Sequence, residues 1–168
     1  MYLIVAKYSD DAERKRVEYS LERWKSSMNI SKPEGIVSIA EGDGIEELLE
    51  DLYARISKEN IKVYSLREAS LEVEENEKQI KVDLEGEMET IERFVGFVMA
   101  KIKAVVKYES SMGKLYEVYT KKGGADIETV LNPSPGKVTV SIRIKGYGDV
   151  TELVYDKIVS ELEFFKGV

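Results

Sequence analysis

Four acidic residues stand where this chain could do chemistry. Asp10 and Asp11 follow an apolar run at residues 2–8, and Glu41 and Asp43 belong to Glu41-Gly-Asp-Gly44, which follows a second run at 36–40. If both runs are strands of one parallel sheet, the carboxylates gather at its carboxyl edge, where open α/β sheets place ligands. Oxygen donors of this kind suit Mg²⁺. Arg67, just past a third apolar run at 61–66, is placed to meet a phosphate on that metal. The chemistry implied is Mg-dependent phosphoryl transfer or phosphate-ester cleavage. The same loop also has a plainer use. Gly42 permits a tight turn, Asp43 caps the next helix and Glu46 closes a capping box, a pattern repeated by Asp10 with Glu13 and Asp149 with Glu152.

A second group is basic. Between residues 101 and 147 there are nine Lys or Arg against four acids, a local excess of five in a chain whose net charge is −7. Lys114, Lys121, Lys122, Lys137, Arg143 and Lys145, with Tyr116 and Tyr147 as stacking platforms, form a candidate surface for single-stranded RNA. The aromatic run typical of such sheets is missing, and lysines on a wet strand also protect edges from aggregation.

Glu41-Gly42 at a strand end resembles the first motif of Toprim domains, and that resemblance implies a glutamate serving metal-assisted phosphoryl transfer. The match covers these two residues. The Asp-x-Asp that the family carries after a later strand has no counterpart after residues 61–68.

Composition removes whole classes of mechanism. With no Cys and no His, there is no thiol or imidazole chemistry and no Cys/His zinc site. Charged residues make up 34% of the chain while Gln occurs once, the pattern of a heat-adapted protein. The opening MYLIVAKY lacks a basic leader and a small-residue cleavage site, so the expectation is a cytoplasmic protein of a thermophilic microbe. The longest apolar run elsewhere, residues 94–100, falls far short of a membrane span.

The elements that must position these residues follow from periodicity. Near-continuous apolar runs at 2–8, 36–40 and 61–66 read as buried parallel strands. A helix with Val17, Leu21, Trp24 and Met28 on one stripe lies between the first two, and a second with Ile45, Leu48, Leu49, Leu52 and Ile56 precedes the third. Beyond residue 69 the style changes. Leu71/Val73 and Ile80/Val82/Leu84 suggest a hairpin about Glu75-Asn-Glu77, and a long helix spans 87–107. Its Gly96, Ala100 and Ala104 form a small-residue stripe that suits core packing or a homo-oligomer seam. Strands follow at 114–121, 127–131 and 137–145, and a last helix at 150–165 turns Val154, Ile158, Leu162 and Phe165 inward.

The expected fold is therefore α+β: a parallel β-α-β-α-β half over residues 1–68, then a ferredoxin-like, split-βαβ half over 69–168, packed as one unit. The expected role is a binding or interaction module with RNA as partner class. Mg-dependent phosphate chemistry is the enzyme alternative.

Overall fold

The computed structural model describes residues 2–111 and 113–166, the last two by backbone alone. The chain is α+β and divides into two units, Met1–Leu66 and Arg67–Val168. The expected inward Phe165 has its side chain outside the described residues.

The N-terminal unit holds α1 (Asp11–Trp24), α2 (Ile45–Tyr53) and one 3-10 turn at Lys58–Asn60. α1 starts as its sequence predicts. Asp10 accepts the Glu13 N–H at 2.7 Å, and the Glu13 carboxylate reaches back to the Ser9 N–H at 2.6 Å. α2 starts differently. Gly44 is its N-cap at φ 98°, a left-handed value open to glycine, with no side-chain cap, so Asp43 falls one residue short of the capping role expected of it.

The parallel layer expected here is not seen. Among the described residues of this unit there is no strand, and none is buried. The runs at 2–8, 36–40 and 61–66 have strand composition, but a strand exists only through a ladder with a partner, and composition does not supply one.

The C-terminal unit is built on a ladder. Its elements run β1 (Asn76–Glu85), α3 (Met88–Lys101), β2 (Val105–Ser110), β3 (Gly113–Thr120), β4 (Gly123–Ser134), β5 (Lys137–Gly146) and α4 (Val150–Lys166). The sheet order is β1-β5-β4-β3-β2, with every neighbour antiparallel. Four antiparallel steps leave β1 and β2 pointing the same way at opposite edges. α3 thus joins two parallel-directed strands split by three others, and the expected ferredoxin-like layout is replaced by this wider one.

Three local departures explain the difference. In place of the expected hairpin at 71–84 there is one strand, β1: residues 71–75 form none, and the alternation of Ile80, Val82 and Leu84 continues back through Lys78 and Asn76 against β5. The helix expected to reach 107 stops at Lys101. Lys103 takes φ 62°, its N–H donates to the Ala100 carbonyl and the Ala104 N–H to the Met99 carbonyl, both at 2.9 Å, closing a Schellman-type end. Val105 is thereby freed to open β2. β4 runs through Pro133, beyond the short strand expected at 127–131. The β3 pairing ends at Lys114↔Thr129, so Pro133 is paired with β5 alone and no ladder bond is lost on its other side.

One face of the sheet carries the core. Leu84, Tyr116, Val118, Ala125, Ile127, Val138, Val140, Ile142 and Ile144 meet Ile91, Val95, Val98 and Met99 of α3 and Val150, Val154, Ile158 and Leu162 of α4. Each strand alternates, so the opposite face is polar. Close approaches fix some glycines. A Cβ on Gly113 would sit 2.3 Å from the Thr129 carbonyl oxygen, and one on Gly124 would meet the Tyr119 ring at 2.7 Å. Thr129, buried in the core, donates its hydroxyl to the Lys114 carbonyl at 3.3 Å.

Candidate functional site

The polar face of the sheet is the candidate surface of the C-terminal unit. Its residues come in rows set by the register. Glu77, Lys145, Asp126 and Glu117 lie side by side across β1, β5, β4 and β3, and Gln79, Arg143, Glu128 and Leu115 form the next row. In these two rows each cation of β5 lies between an acid of β4 and a polar or acidic residue of β1, and the side chains meet. Arg143 lies 3.6 Å from both Glu77 and Glu128, and Lys145 lies 3.6 Å from Glu77. Lys107 reaches Glu117 at 3.3 Å and Asp126 at 3.5 Å, and Lys137 reaches Asp83 at 2.6 Å. Thr139 donates to the same Asp83 at 2.6 Å. Lys137 first and Thr139 second hold the Asp83 carboxyl below the ordinary Asp range.

The proposed RNA surface is therefore divided. Lys137, Arg143 and Lys145 share the polar face, each beside an acid. Lys114 lies on the helix-covered side between Glu109 and Glu92, 3.0 Å from each, and Glu109 first, then Glu92, hold its ammonium well above the usual lysine range. Tyr116 is a core residue, 5% exposed, and burial pushes its phenol up; it presents no ring for stacking. Lys121 and Lys122 sit in the β3–β4 turn, where Lys122 meets Asp149 at 3.2 Å. Tyr147 is exposed and lines a shallow depression of about 210 Å³ with Tyr119, Lys107, Lys145, Glu75 and Asp126. The basic excess of residues 101–147 is real in sequence. The register spends it on acids drawn largely from outside that stretch, Glu77, Asp83, Glu92 and Asp149 among them.

The acidic candidates of the N-terminal unit also have local partners. Asp10 caps α1. Asp11 pairs with Arg14 at 2.7 Å and Lys15 at 2.8 Å, and Lys15 first, then Arg14, hold its carboxyl low. Glu41 and Asp43 are exposed, and among the described residues no three acidic side chains gather at one point that could hold a metal. Arg67 is exposed at the start of the other unit. At the third helix start, Asp149 offers its carbonyl to the Leu153 N–H at 3.2 Å, while its carboxylate turns to Lys122 and Glu152 turns to Lys78.

Two features escape a reading by periodicity. The helix pattern, continued through Val105, hides β2, although Val105-Val106 and Tyr108 are strand-forming residues. The second is the outer side of α3. Its stripe Ile91, Val95, Val98 and Met99 is spent on the core, leaving Phe97 exposed and Gly96 with open space around its Cα. No helix among the described residues is long and apolar enough to cross a membrane. No protein-family model matches this chain, and no curated protein matches it either.

Proposed function

We propose that the chain is a binding or interaction module whose working surface is formed by the exposed apolar runs of the Met1–Leu66 unit. The carrying observation is exposure. Ile36 is 99% exposed, and Ile4, Val5, Ile39 and Val63 are each more than half exposed, in a unit with no buried residue among those described. Single exposed apolar side chains are ordinary on soluble proteins; several runs of them mark surfaces meant to be covered. On this reading the three runs take up the parallel β-α-β-α-β layer when a partner covers them. Their alternation with α1 and α2 supports that arrangement.

A protein surface suits this unit better than RNA suits the sheet. Phosphate binding needs cations free to release counterions, and the open sheet pairs its cations with its own acids. A photo-crosslinking residue placed at Ile36 should capture another polypeptide far more efficiently than one placed at Val98 in the core. Equal capture from Ile36 and from the polar neighbour Glu34 would reject the reading.

Single-stranded RNA is the second reading, supported by exposed Tyr147 beside Lys145 and the turn cations Lys121 and Lys122. It predicts binding of a mixed RNA pool at low salt that is lost when Arg143 and Lys145 are both changed to Glu. Mg-dependent phosphate chemistry rests on exposed Glu41 and Asp43. It requires a melting temperature that rises with millimolar Mg²⁺ in wild type and not in Glu41→Ala.

A further inference from the structure

The two edges of the sheet are built differently. β1 carries five charged residues in ten: Glu77, Lys78 and Asp83 pair within the unit, and Lys81 and Glu85 add further charge at the edge, which is how natural sheets keep an edge from pairing. β2 is fully exposed and presents Val105 at 69%, Val106 at 48% and Tyr108 at 65%. Its two charges are spent on its own sheet: Lys107 on Glu117 and Asp126, and Glu109 on Lys114. What remains along this edge is apolar and uncharged.

We propose that β2 is the seam of a two-fold dimer, in which the β2 edges of two copies pair antiparallel and join their sheets. The occupant follows from the register. A two-fold contact asks an edge to match only itself, and an axis normal to the sheet keeps each face on its own side. The ladder shifts between Val106 and Tyr108, so Lys107 and Tyr108 together count as one position. An axis through Val106 then sets Val106 against Val106 of the second copy, on the helix side where it lies beside Tyr116. It also sets Val105 against Tyr108 of the second copy, twice, on the polar side where these two lie beside Glu117 and Leu115. Apolar meets apolar at all three pairings. A six-residue ladder is a small interface, so the dimer is weak and depends on concentration.

Sedimentation of the full chain from about 1 μM to about 500 μM, the range in which so small an interface would associate, tests this. The average mass should climb from monomer toward dimer. Val106→Lys and Val106→Glu should each move the midpoint at least tenfold higher, and an equimolar mixture of the two should restore association, because only this register brings position 106 against itself. Phe97→Glu on α3 and Ile36→Lys in the N-terminal unit should leave the midpoint in place. Thermal melts of the Val106 variants matching wild type exclude unfolding as the cause; were they to differ, Val105→Lys with Val105→Glu should fail to complement where Val105→Lys with Tyr108→Glu succeeds. A wild-type monomer at every concentration overturns the proposal. So does a dimer indifferent to the Val106 changes, or a mixture that does not recover. None of these outcomes touches the reading of the N-terminal surface, which the crosslinking experiment decides separately.

Discussion

In β5, Val138, Val140, Ile142 and Ile144 lie between β1 and β4 with helices across them, and none is more than 2% exposed; in residues 36–40, a run of the same apolar type, Ile36 is 99% exposed and Ile39 67%. The side chains are nearly interchangeable, so the difference is not one of hydrophobicity. β5 has a partner on each side in register over ten residues, and its alternate side chains are thereby delivered to a single face. The run at 36–40 has no ladder. Without one, its apolar side chains are not gathered against anything, and burial, which is worth roughly 25 cal/mol per Å², is not collected. A run of apolar residues is a capacity for burial, and pairing decides whether it is used.

That contrast can be broken most directly at two isoleucines. Ile127→Ala, at a residue that is 0% exposed, should cost about 3–4 kcal/mol, while Ile36→Ala should stay within about 0.5 kcal/mol, both read from urea denaturation. A loss at Ile36 as large as that at Ile127 would mean that the N-terminal unit has a core after all.

Glycines sharpen the same comparison. Gly113→Ala drives a Cβ into the Thr129 carbonyl across the ladder, and about 2–3 kcal/mol should be lost because backbone on both sides cannot yield. Gly35→Ala, with nothing within 4 Å but φ 87°, should cost only the left-handed strain of about 1 kcal/mol.

Lys103→Gly should act in the opposite direction. It relieves φ 62° at the end of α3 and should stabilise the C-terminal unit by about 1 kcal/mol, visible as a higher melting temperature. No change would mean that the lysine side chain compensates for the strain.

The smallest effect concerns acid. Asp83 has its folded pKa lowered below the unfolded value by Lys137 and Thr139, so its contribution is present above the unfolded pKa and lost as the pH falls through the folded one. Asp83→Asn should therefore flatten the dependence of melting temperature on pH below about pH 4 and leave it unchanged near neutrality. Asp11, lowered by Lys15 and Arg14 in the other unit, gives the parallel measurement; both carboxylates are exposed, and both effects should be slight.

Much of the secondary structure was legible because its signals are local. α1 and α4 and the strands β3 and β5 fall within a residue or a few of where periodicity places them, and the cap of α1 forms on the residues that announce it. The misreadings have local causes too. Lys103 ends α3 in a conformation usually given to glycine, so the stop carries no recognisable residue. β4 reaches through a proline that only a one-sided ladder tolerates. At the candidate sites, residue types were legible and neighbours were not. Tyr116 and Arg143 are both strand residues of the basic stretch, yet one enters the core and the other the polar face. The acids that neutralise Lys137 and Lys145 lie more than fifty residues earlier in the chain.

By itself, the sequence determined what this chain could not do with thiols or imidazoles, where α1 and α4 begin, and which residues in β3 and β5 share a face. Those properties depend on residue identity and on spacings of two to four, which the chain carries at every point. Only the tertiary structure decided that β1 and β2 lie at opposite edges, that the basic stretch is neutralised across the sheet, and that β2 is left apolar and open. Each of these turns on which distant segment sets its backbone hydrogen bonds against which, and the register that results is a property of pairs of strands rather than of any one of them.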